Sequence, residues 1–265
     1  MDGVIKGCAA LCFVVQAATA AAADDANLAQ QTLNPVASLI SVPLQVNHDG
    51  DIGPADGKRR VVNVQPVVPF ELNDEWNLIS RTIVPVIDLD DVPAPGNDAS
   101  GIGDVVQSFF FSPKQPTASG WIWGVGPVVS LPTADERALG SDKWSVGPTV
   151  VVLKQQHGWT YGILANHLIS VGGDDDRADV EATFLQPFLS YTTGTLTSIG
   201  INTESTYDWE SETWAAPVNV TVTQLLRAGR QPLSLQVGAR YWADGPAGGP
   251  DGWGYRAALT LLFPK

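Results

Sequence analysis

The residues best suited to acid–base chemistry are three histidines, His48, His157 and His167. Hydrolysis by a serine nucleophile needs a histidine within hydrogen-bond reach, itself oriented by a third polar group. Asn166 and Ser170 lie near His167, but residues at odd spacing on a strand face opposite sides. His48 and His157 fall in predicted connections. We therefore predict structural histidines and no catalytic residue.

Clustered carboxylates are a second candidate for chemistry, because carboxylate oxygens are the ligands that Ca²⁺ prefers. They occur as Asp49 with Asp51, as Asp88 with Asp90 and Asp91, and as Asp174–Asp176. Such loops could also bridge lipopolysaccharide through divalent ions. None has the spacing of a calcium loop with its closing glutamate. We expect solvated acidic loops, no metal site and no cofactor.

A third set consists of polar residues that alternate with apolar ones, which places them on one face of a strand. Its members are Arg81, Arg240, Arg256, Glu204, Asn202, Gln236, Asn63 and Gln65. If this face lines an enclosed space, the arginines could select which solutes pass. They could equally be a charge-paired filling, since a barrel of this size has little free interior. The sequence leaves both interpretations open.

The elements that carry these residues are twelve segments of alternating polarity. They are Ala37–Asn47, Lys58–Leu72, Trp76–Ile87, Gly103–Ser112, Trp121–Leu131, Trp144–Gln155, Trp159–Val171, Val180–Thr192, Thr195–Tyr207, Trp214–Arg227, Leu233–Trp242 and Trp253–Phe263. A strand that crosses a bilayer at a tilt needs about 9–11 residues. Each segment is long enough to cross.

The connections between these segments alternate between long and short. The long ones are His48–Gly57, Asp88–Ile102, Pro132–Lys143, Gly172–Asp179, Asp208–Thr213 and Ala243–Gly252. This rhythm is typical of an up-and-down antiparallel barrel in an outer membrane, with short periplasmic turns and longer extracellular loops. We therefore predict an all-β transmembrane barrel of about twelve strands, with acidic extracellular loops.

The N-terminus and the charge distribution agree with this compartment. Residues 1–23 read as a signal peptide that contains both cysteines, 24–35 as a periplasmic segment and 36–265 as the barrel. The net charge is −13, and most acidic residues fall in the long connections rather than in strands. A basic patch is missing, which argues against a nucleic-acid partner. We expect a Gram-negative outer membrane.

Six tryptophans each open a predicted strand, at Trp76, Trp121, Trp144, Trp159, Trp214 and Trp253. Amphipathic rings in such positions are typical of the two membrane–water boundaries. The alternative is that they only pack over the hairpin ends.

Prolines inside predicted strands oppose the barrel interpretation, because proline cannot donate to the ladder. They are Pro66, Pro69, Pro85, Pro127, Pro148, Pro187 and Pro217. We expect bulges or local ladder breaks there.

Several segments resemble the transporters of the meta-pathway phenol-degradation type, which are outer-membrane barrels. The segments include 34–43, 64–69, 76–85, 107–113, 123–127, Trp159–Gly162, Asn166-His167 and 261–264. The resemblance implies an outer-membrane location and transport, with aromatic compounds as candidate solutes. One departure is that Pro264-Lys265 follow Phe263, whereas many outer-membrane barrels end on an aromatic residue.

Together these patterns predict a non-enzymatic outer-membrane channel or transporter for a small solute, with aromatic and acidic compounds as the candidates. The expected partners are membrane lipid, lipopolysaccharide, the barrel-assembly machinery and the solute. A structural or adhesive barrel with a plugged lumen is one alternative, and an outer-membrane lipid hydrolase is another. The pattern does not indicate an oligomeric state.

Overall fold

The computed structural model describes residues 24–264, so the predicted signal peptide lies outside the described residues. A helix at 24–31, α1, and a 3₁₀ turn at Gly53–Ala55 accompany the strands. The strands are β1 (Ile40–Ile52), β2 (Gly57–Val64), β3 (Val67–Glu71), β4 (Trp76–Asp90), β5 (Ala99–Ile102), β6 (Val105–Pro113), β7 (Trp121–Leu131), β8 (Lys143–Gln156), β9 (Trp159–Gly173), β10 (Glu181–Thr192), β11 (Thr197–Thr203), β12 (Ser205–Asp208), β13 (Thr213–Ala228), β14 (Gln231–Asp244) and β15 (Gly252–Phe263).

These segments form one closed antiparallel barrel. Three barrel strands are each in two pieces, β2 with β3, β5 with β6 and β11 with β12, so the fifteen segments make twelve strands. Each strand pairs with the next in sequence, and β15 closes the barrel by pairing with β1, from Ile40 opposite Phe263 to His48 opposite Tyr255. The predicted architecture and strand count are confirmed. None of the helices within residues 24–264 is long and apolar enough to cross a membrane.

Prolines within the strands interrupt the ladder locally at several positions. At Pro148, pairing between β8 and β9 stops at Val146 and resumes at Thr149 in the same register. A Cβ on the preceding Gly147 would lie 1.7 Å from the carbonyl oxygen of His167, so the strands approach too closely there for a side chain. At Pro217 the register with β14 shifts by one residue, as in a bulge. The expected irregularity is confirmed at Pro148 and Pro217, whereas the pairing of β3 with β4 runs through Pro69 without a break.

The outward face of the barrel is apolar. On β13, Val220 and Val222 face outward and are 50% and 45% exposed. Asn219 and Thr221, which alternate with them, face inward and are 0% and 5% exposed. An apolar exterior over a polar interior is the reverse of a soluble barrel and fits a hydrocarbon solvent. The barrel is therefore of the outer-membrane type.

The two ends of the barrel differ. At the end we call the turn end, the connections are 72–75, 114–120, 157–158, 193–196 and 229–230. At the other, the loop end, they are 53–56, 91–98, 132–142, 174–180, 209–212 and 245–251. The predicted long connection His48–Gly57 was too long, because the alternation of β1 continues to Ile52. Asp208–Thr213 was likewise too long.

The N-terminal segment, residues 24–39, enters the lumen at the turn end, and we call it the plug. Leu28 and Ala29 of α1 pack on Leu225 and Leu262 of the wall. Farther along the plug, Val36 joins a second apolar cluster whose largest member is Phe110, which is fully buried. The barrel strand starts at Ile40 rather than at residue 36, since residues 36–39 belong to the plug.

Candidate functional site

The lumen encloses a cavity of about 430 Å³ between the plug and the loop end, which we call the central cavity. Alternation along the strands turns its lining side chains inward. Seven of the eight residues expected from the sequence to face the lumen line it, namely Asn63, Gln65, Arg81, Asn202, Glu204, Gln236 and Arg256. The eighth, Arg240, is not part of the lining, because it is buried in contact with Asp49 and Glu204.

Glu204 is the centre of a charged group on the cavity wall. Nη2 and Nη1 of Arg256 donate to Glu204 carboxylate oxygens at 2.6 and 2.9 Å. Nη1 of Arg240 donates to the same carboxylate at 3.1 Å. The remaining Nε of Arg256 donates to Oδ1 of Asn47 at 2.7 Å. These guanidiniums are held by the wall rather than left open to a solute.

The sequence interpretation missed a second carboxylate in this group. Asp49 was assigned to an acidic loop but lies in β1 with 1% of its surface exposed. Its oxygens accept hydrogen bonds from Nε of Arg240 at 2.9 Å, Nε1 of Trp242 at 2.8 Å and Nη2 of Arg59 at 2.9 Å. The alternation of Gln45, Asn47 and Asp49 could have revealed it. We call Asp49, Arg59, Glu204, Arg240 and Arg256 the wall cluster.

Two other expected residues are also tied to neighbouring strands. Oδ1 of Asn202 accepts from Nδ2 of Asn219 at 2.8 Å, and Nε2 of Gln236 donates to the hydroxyl of Thr223 at 3.0 Å. These bonds satisfy polar groups that would otherwise be buried without partners, which would cost free energy. Their role in selecting a solute stays a prediction.

Arg81 occupies a different position. Gln65, Arg81 and Gln186 line both the central cavity and a smaller cavity of about 180 Å³ against residues 31–39 of the plug. These three residues therefore form a neck between the two spaces. Nη2 of Arg81 donates to Oε1 of Gln65 at 2.9 Å, and Nε2 of Gln186 reaches Oε1 of Glu204 at 3.5 Å. Gln186 was not anticipated from the sequence.

Apolar side chains lie beside the neck in the central cavity. Ile83 on β4 lies opposite Val106 on β6. Ile83 is the next inward-facing residue of β4 after Arg81 in the direction of the loop end, and both apolar residues line the central cavity. Phe184 contributes an aromatic ring from β10. The central cavity therefore presents an apolar surface next to an arginine.

The histidines do not form a serine-based catalytic site. His48 was predicted in a connection but lies in β1, where its ring stacks on Tyr255 at 4.8 Å between centroids. His167 has its Nδ1 at 2.9 Å from the hydroxyl of Thr183, which also accepts a hydrogen bond from Trp209. Within residues 24–264 no serine hydroxyl bonds to a histidine.

Asp90, Asp91 and Asp98 form a group of three carboxylates at the loop end. Their nearest carboxylate oxygens lie within 4.8 Å of one another, and two of the three residues are exposed. Exposed acidic groups commonly approach in this way without an ion.

Aromatic rings cluster at both ends of the outer face. At the turn end Trp76 packs edge-on against Trp123, and Trp159 lies 5.0 Å from Tyr191. At the loop end Trp253 is 69% exposed beside Tyr241. The other three expected tryptophans, Trp121, Trp144 and Trp214, are also exposed on the outer face.

Solved structures share the fold. An outer membrane channel from Pseudomonas putida F1 matches with a TM-score of 0.65 at 16% identity, over 85% of this chain and 96% of that chain. Outer membrane phospholipase A from Escherichia coli matches less well, with a TM-score of 0.49 at 8% identity over 84% and 90% of the two chains. No curated protein matches the sequence.

A family model matches residues 57–213, which extend from β2 to the start of β13 and include Arg81, Gln186 and Glu204. This match confirms the resemblance drawn from the sequence segments. The chain belongs to the family described as "Putative MetA-pathway of phenol degradation".

Proposed function

We propose that the barrel is an outer-membrane channel that takes a small aromatic solute into its lumen. The observation that carries the proposal is the central cavity, enclosed by the barrel and lined by polar groups beside an apolar surface. Sites for small molecules have volumes of about 300–1,000 Å³ and combine apolar walls with a few placed polar groups. The central cavity, at about 430 Å³, has both properties.

The neck supports a route from the central cavity toward the turn end. A solute that leaves the central cavity in this direction passes Arg81 and enters the smaller cavity against the plug. The plug is held by apolar contacts, by the ion pair of Asp25 with Arg227 and by a hydrogen bond of 2.8 Å from Gln155 to the carbonyl of Gln30. The plug therefore narrows the route into the periplasm to the space between it and the wall.

A second route through the wall has a separate observation in its favour. An apolar groove of about 280 Å³ on the outer face shares Asn202 with the central cavity. It lies at Pro187, where the ladder of β10 changes partner from β12 to β11. A solute could exchange with the membrane here without passing the plug.

Transport without catalysis is the activity that the lumen supports. A lipid hydrolase would need an activated nucleophile, and the hydroxyl nearest to His167 is that of a threonine already bonded to Trp209. Purified protein should release no fatty acid from phospholipid vesicles, with or without Ca²⁺.

The two ends of the barrel differ in the compartment and the partners that they meet. The loop end faces the cell exterior and contacts lipopolysaccharide, the turn end and plug face the periplasm, and the aromatic rings sit at the two boundaries. The barrel-assembly machinery inserts the chain. Epitope tags in 91–98 or 174–180 should be reachable on intact cells, and a tag in 193–196 should not.

Uptake by cells tests the transport proposal. The protein is expressed in a porin-deficient strain, where the outer membrane limits entry, and uptake of radiolabelled phenol and benzoate is measured at low concentration. Ala182→Phe fills the central cavity and should reduce uptake to the level of the empty vector. Ala239→Phe, which adds the same ring to the exposed outer face, is the matched control. Folded, heat-modifiable protein that gives no more uptake than the vector would overturn the proposal.

A further inference from the structure

The charges of the lumen are unbalanced at the neck. The wall cluster and the neck together contain four arginines, Arg59, Arg81, Arg240 and Arg256, but only two carboxylates. Both carboxylates are bound by arginines of the wall cluster. Within residues 24–264, no acidic side chain lies within ion-pair distance of Arg81, and the charge of Glu204 acts on it only at longer range. The side chain of Arg81 donates a hydrogen bond to the neutral Gln65.

A guanidinium in an enclosed space without a directly bound counter-ion is a favourable site for an anion. Its electrostatic attraction is larger there than in water, because the surroundings are less polarisable. Its planar fork of N–H groups matches the two oxygens of a carboxylate, and hydrogen bonds between charged groups are stronger than neutral ones. Only Nη2 is used by Gln65, so Arg81 retains further donors for a ligand.

We propose that the neck binds the carboxylate of a small aromatic monoacid, with Arg81 as the residue that determines this specificity. The inference rests on the proposed function and names the class of solute within it. Ile83 and Val106 lie one inward position away and Phe184 lies in the same cavity, so a ring attached to the carboxylate meets apolar surface. A carboxylate bound at the neck thereby orients the ring into the central cavity.

The charge at the neck also distinguishes a monoacid from other anions. The excess positive charge of the wall cluster is spread over Arg59, Arg240 and Arg256, which all donate to Asp49 or Glu204. A ligand in the neck therefore meets directly only the single charge of Arg81, which would leave a phosphate dianion half neutralised. Phosphate also offers no apolar surface for Ile83, Val106 and Phe184. Inorganic phosphate should therefore compete poorly with an aromatic acid.

Calorimetric titration of the folded full-length protein in detergent tests the inference, with sodium benzoate and the neutral benzyl alcohol as probes. Benzoate should bind the unaltered protein at least about tenfold more tightly than benzyl alcohol. Arg81→Gln should weaken benzoate binding by about ten- to hundredfold and leave benzyl alcohol unchanged. Arg81→Lys keeps the positive charge but lacks the planar guanidinium, so it should give an intermediate loss of benzoate affinity.

Arg60→Gln is the matched control, because Arg60 lies on the same hairpin but outside the lumen, 54% exposed and paired with Asp88. It should bind benzoate like the unaltered protein. The preference of the unaltered protein for benzoate needs no variant, so the test survives if Arg81→Gln fails to fold.

The outcomes separate the inference from the proposed function. If benzyl alcohol binds and enters cells but benzoate binds no better, the carboxylate site is wrong and the channel stands. Equal benzoate affinity in Arg81→Gln and the unaltered protein also overturns the inference. If neither probe binds and neither is taken up by cells, the proposed function itself fails.

Discussion

Arg256 and Arg81 both point into one lumen, yet their surroundings differ. Arg256 has 2% of its side chain exposed and donates to Glu204 and Asn47 through all three guanidinium nitrogens. Arg81 donates one hydrogen bond, to a neutral amide, and borders two cavities. Partners and adjoining space, rather than residue type, therefore indicate which arginine stabilises the wall and which is available to a solute.

The difference has an energetic basis. A buried ion pair gains little net stability over an apolar pair, but removal of one partner leaves an uncompensated buried charge. The wall cluster is thus sensitive to mutation even though it adds little to binding. The neck is expected to be less sensitive, because replacement of Arg81 would leave no buried carboxylate without its partner.

The largest effect is expected from Glu204→Gln, which leaves Arg256 without a carboxylate partner and Arg240 sharing the carboxylate of Asp49 with Arg59. We expect the free energy of unfolding to fall by about 3–5 kcal/mol. Urea unfolding of the protein in lipid vesicles, followed by tryptophan fluorescence, measures it. Arg60→Gln removes an exposed pair and should cost less than about 1 kcal/mol. Similar losses in both variants would show that the wall cluster is not a buried network.

The comparison also shows what the sequence could and could not predict. Alternation with a period of two depends only on the strand, so Asn202 and Arg256 were correctly placed inside. The partners of each arginine depend on register across several strands, and Asp49 with Arg240 joins residues 191 positions apart. The lumen arginines were therefore recognised, but the choice between selection and filling could not be made. The plug was missed because its apolar residues bury against barrel strands far away in sequence.

The next effect concerns the plug, which separates the neck from the turn end. Leu28→Ala removes a side chain that is 6% exposed, and loss of a buried leucine typically costs about 2–5 kcal/mol. The lost free energy should weaken the contact of the plug with the barrel wall rather than the barrel itself. The ionic conductance in planar bilayers should therefore rise, and the barrel should remain heat-modifiable. Leu235→Ala, on the outer face, is the control.

In the opened variant the preference for anions should persist, because Arg81 stays at the neck. The ratio of anion to cation permeability, from the reversal potential in a salt gradient, measures this preference. An opened pore with no anion preference would mean that the neck does not act on passing ions.

A smaller effect is expected for the stability of Arg81→Gln. Arg81 has no bound carboxylate to leave stranded, and glutamine removes a buried charge together with the hydrogen bond to Gln65. Because these two effects oppose each other, the free energy of unfolding should change by less than about 1 kcal/mol. Arg256→Gln, the matched lumen variant, should lose about 3 kcal/mol or more. Equal losses in the two variants would remove the distinction between neck and wall cluster.

The smallest effect lies at the loop end, where a charge pair is only partly buried. Lys143, with 7% of its side chain exposed, donates to Asp179 at 3.0 Å, and Asp179 is 69% exposed. Hydrogen bonds from Lys143 and then from Ser170 lower the pKa of Asp179 below its ordinary value of 3.8. The carboxylate is therefore favoured in the folded state, so its contribution to stability is complete above 3.8 and is lost as the pH falls through the lower folded pKa.

Asp179→Asn removes this titration while keeping the shape of the side chain. The unaltered protein should be slightly more stable than this variant at neutral pH, and the gap should close below pH 3.8. Urea unfolding of both proteins across this range measures the gap, and Asp175→Asn in the same loop should show none. A gap that stays constant with pH would mean that Asp179 acts through its shape rather than its charge. In that case the rule that separates Arg256 from Arg81, that the partners of a charge determine its role, would not extend to the loop end.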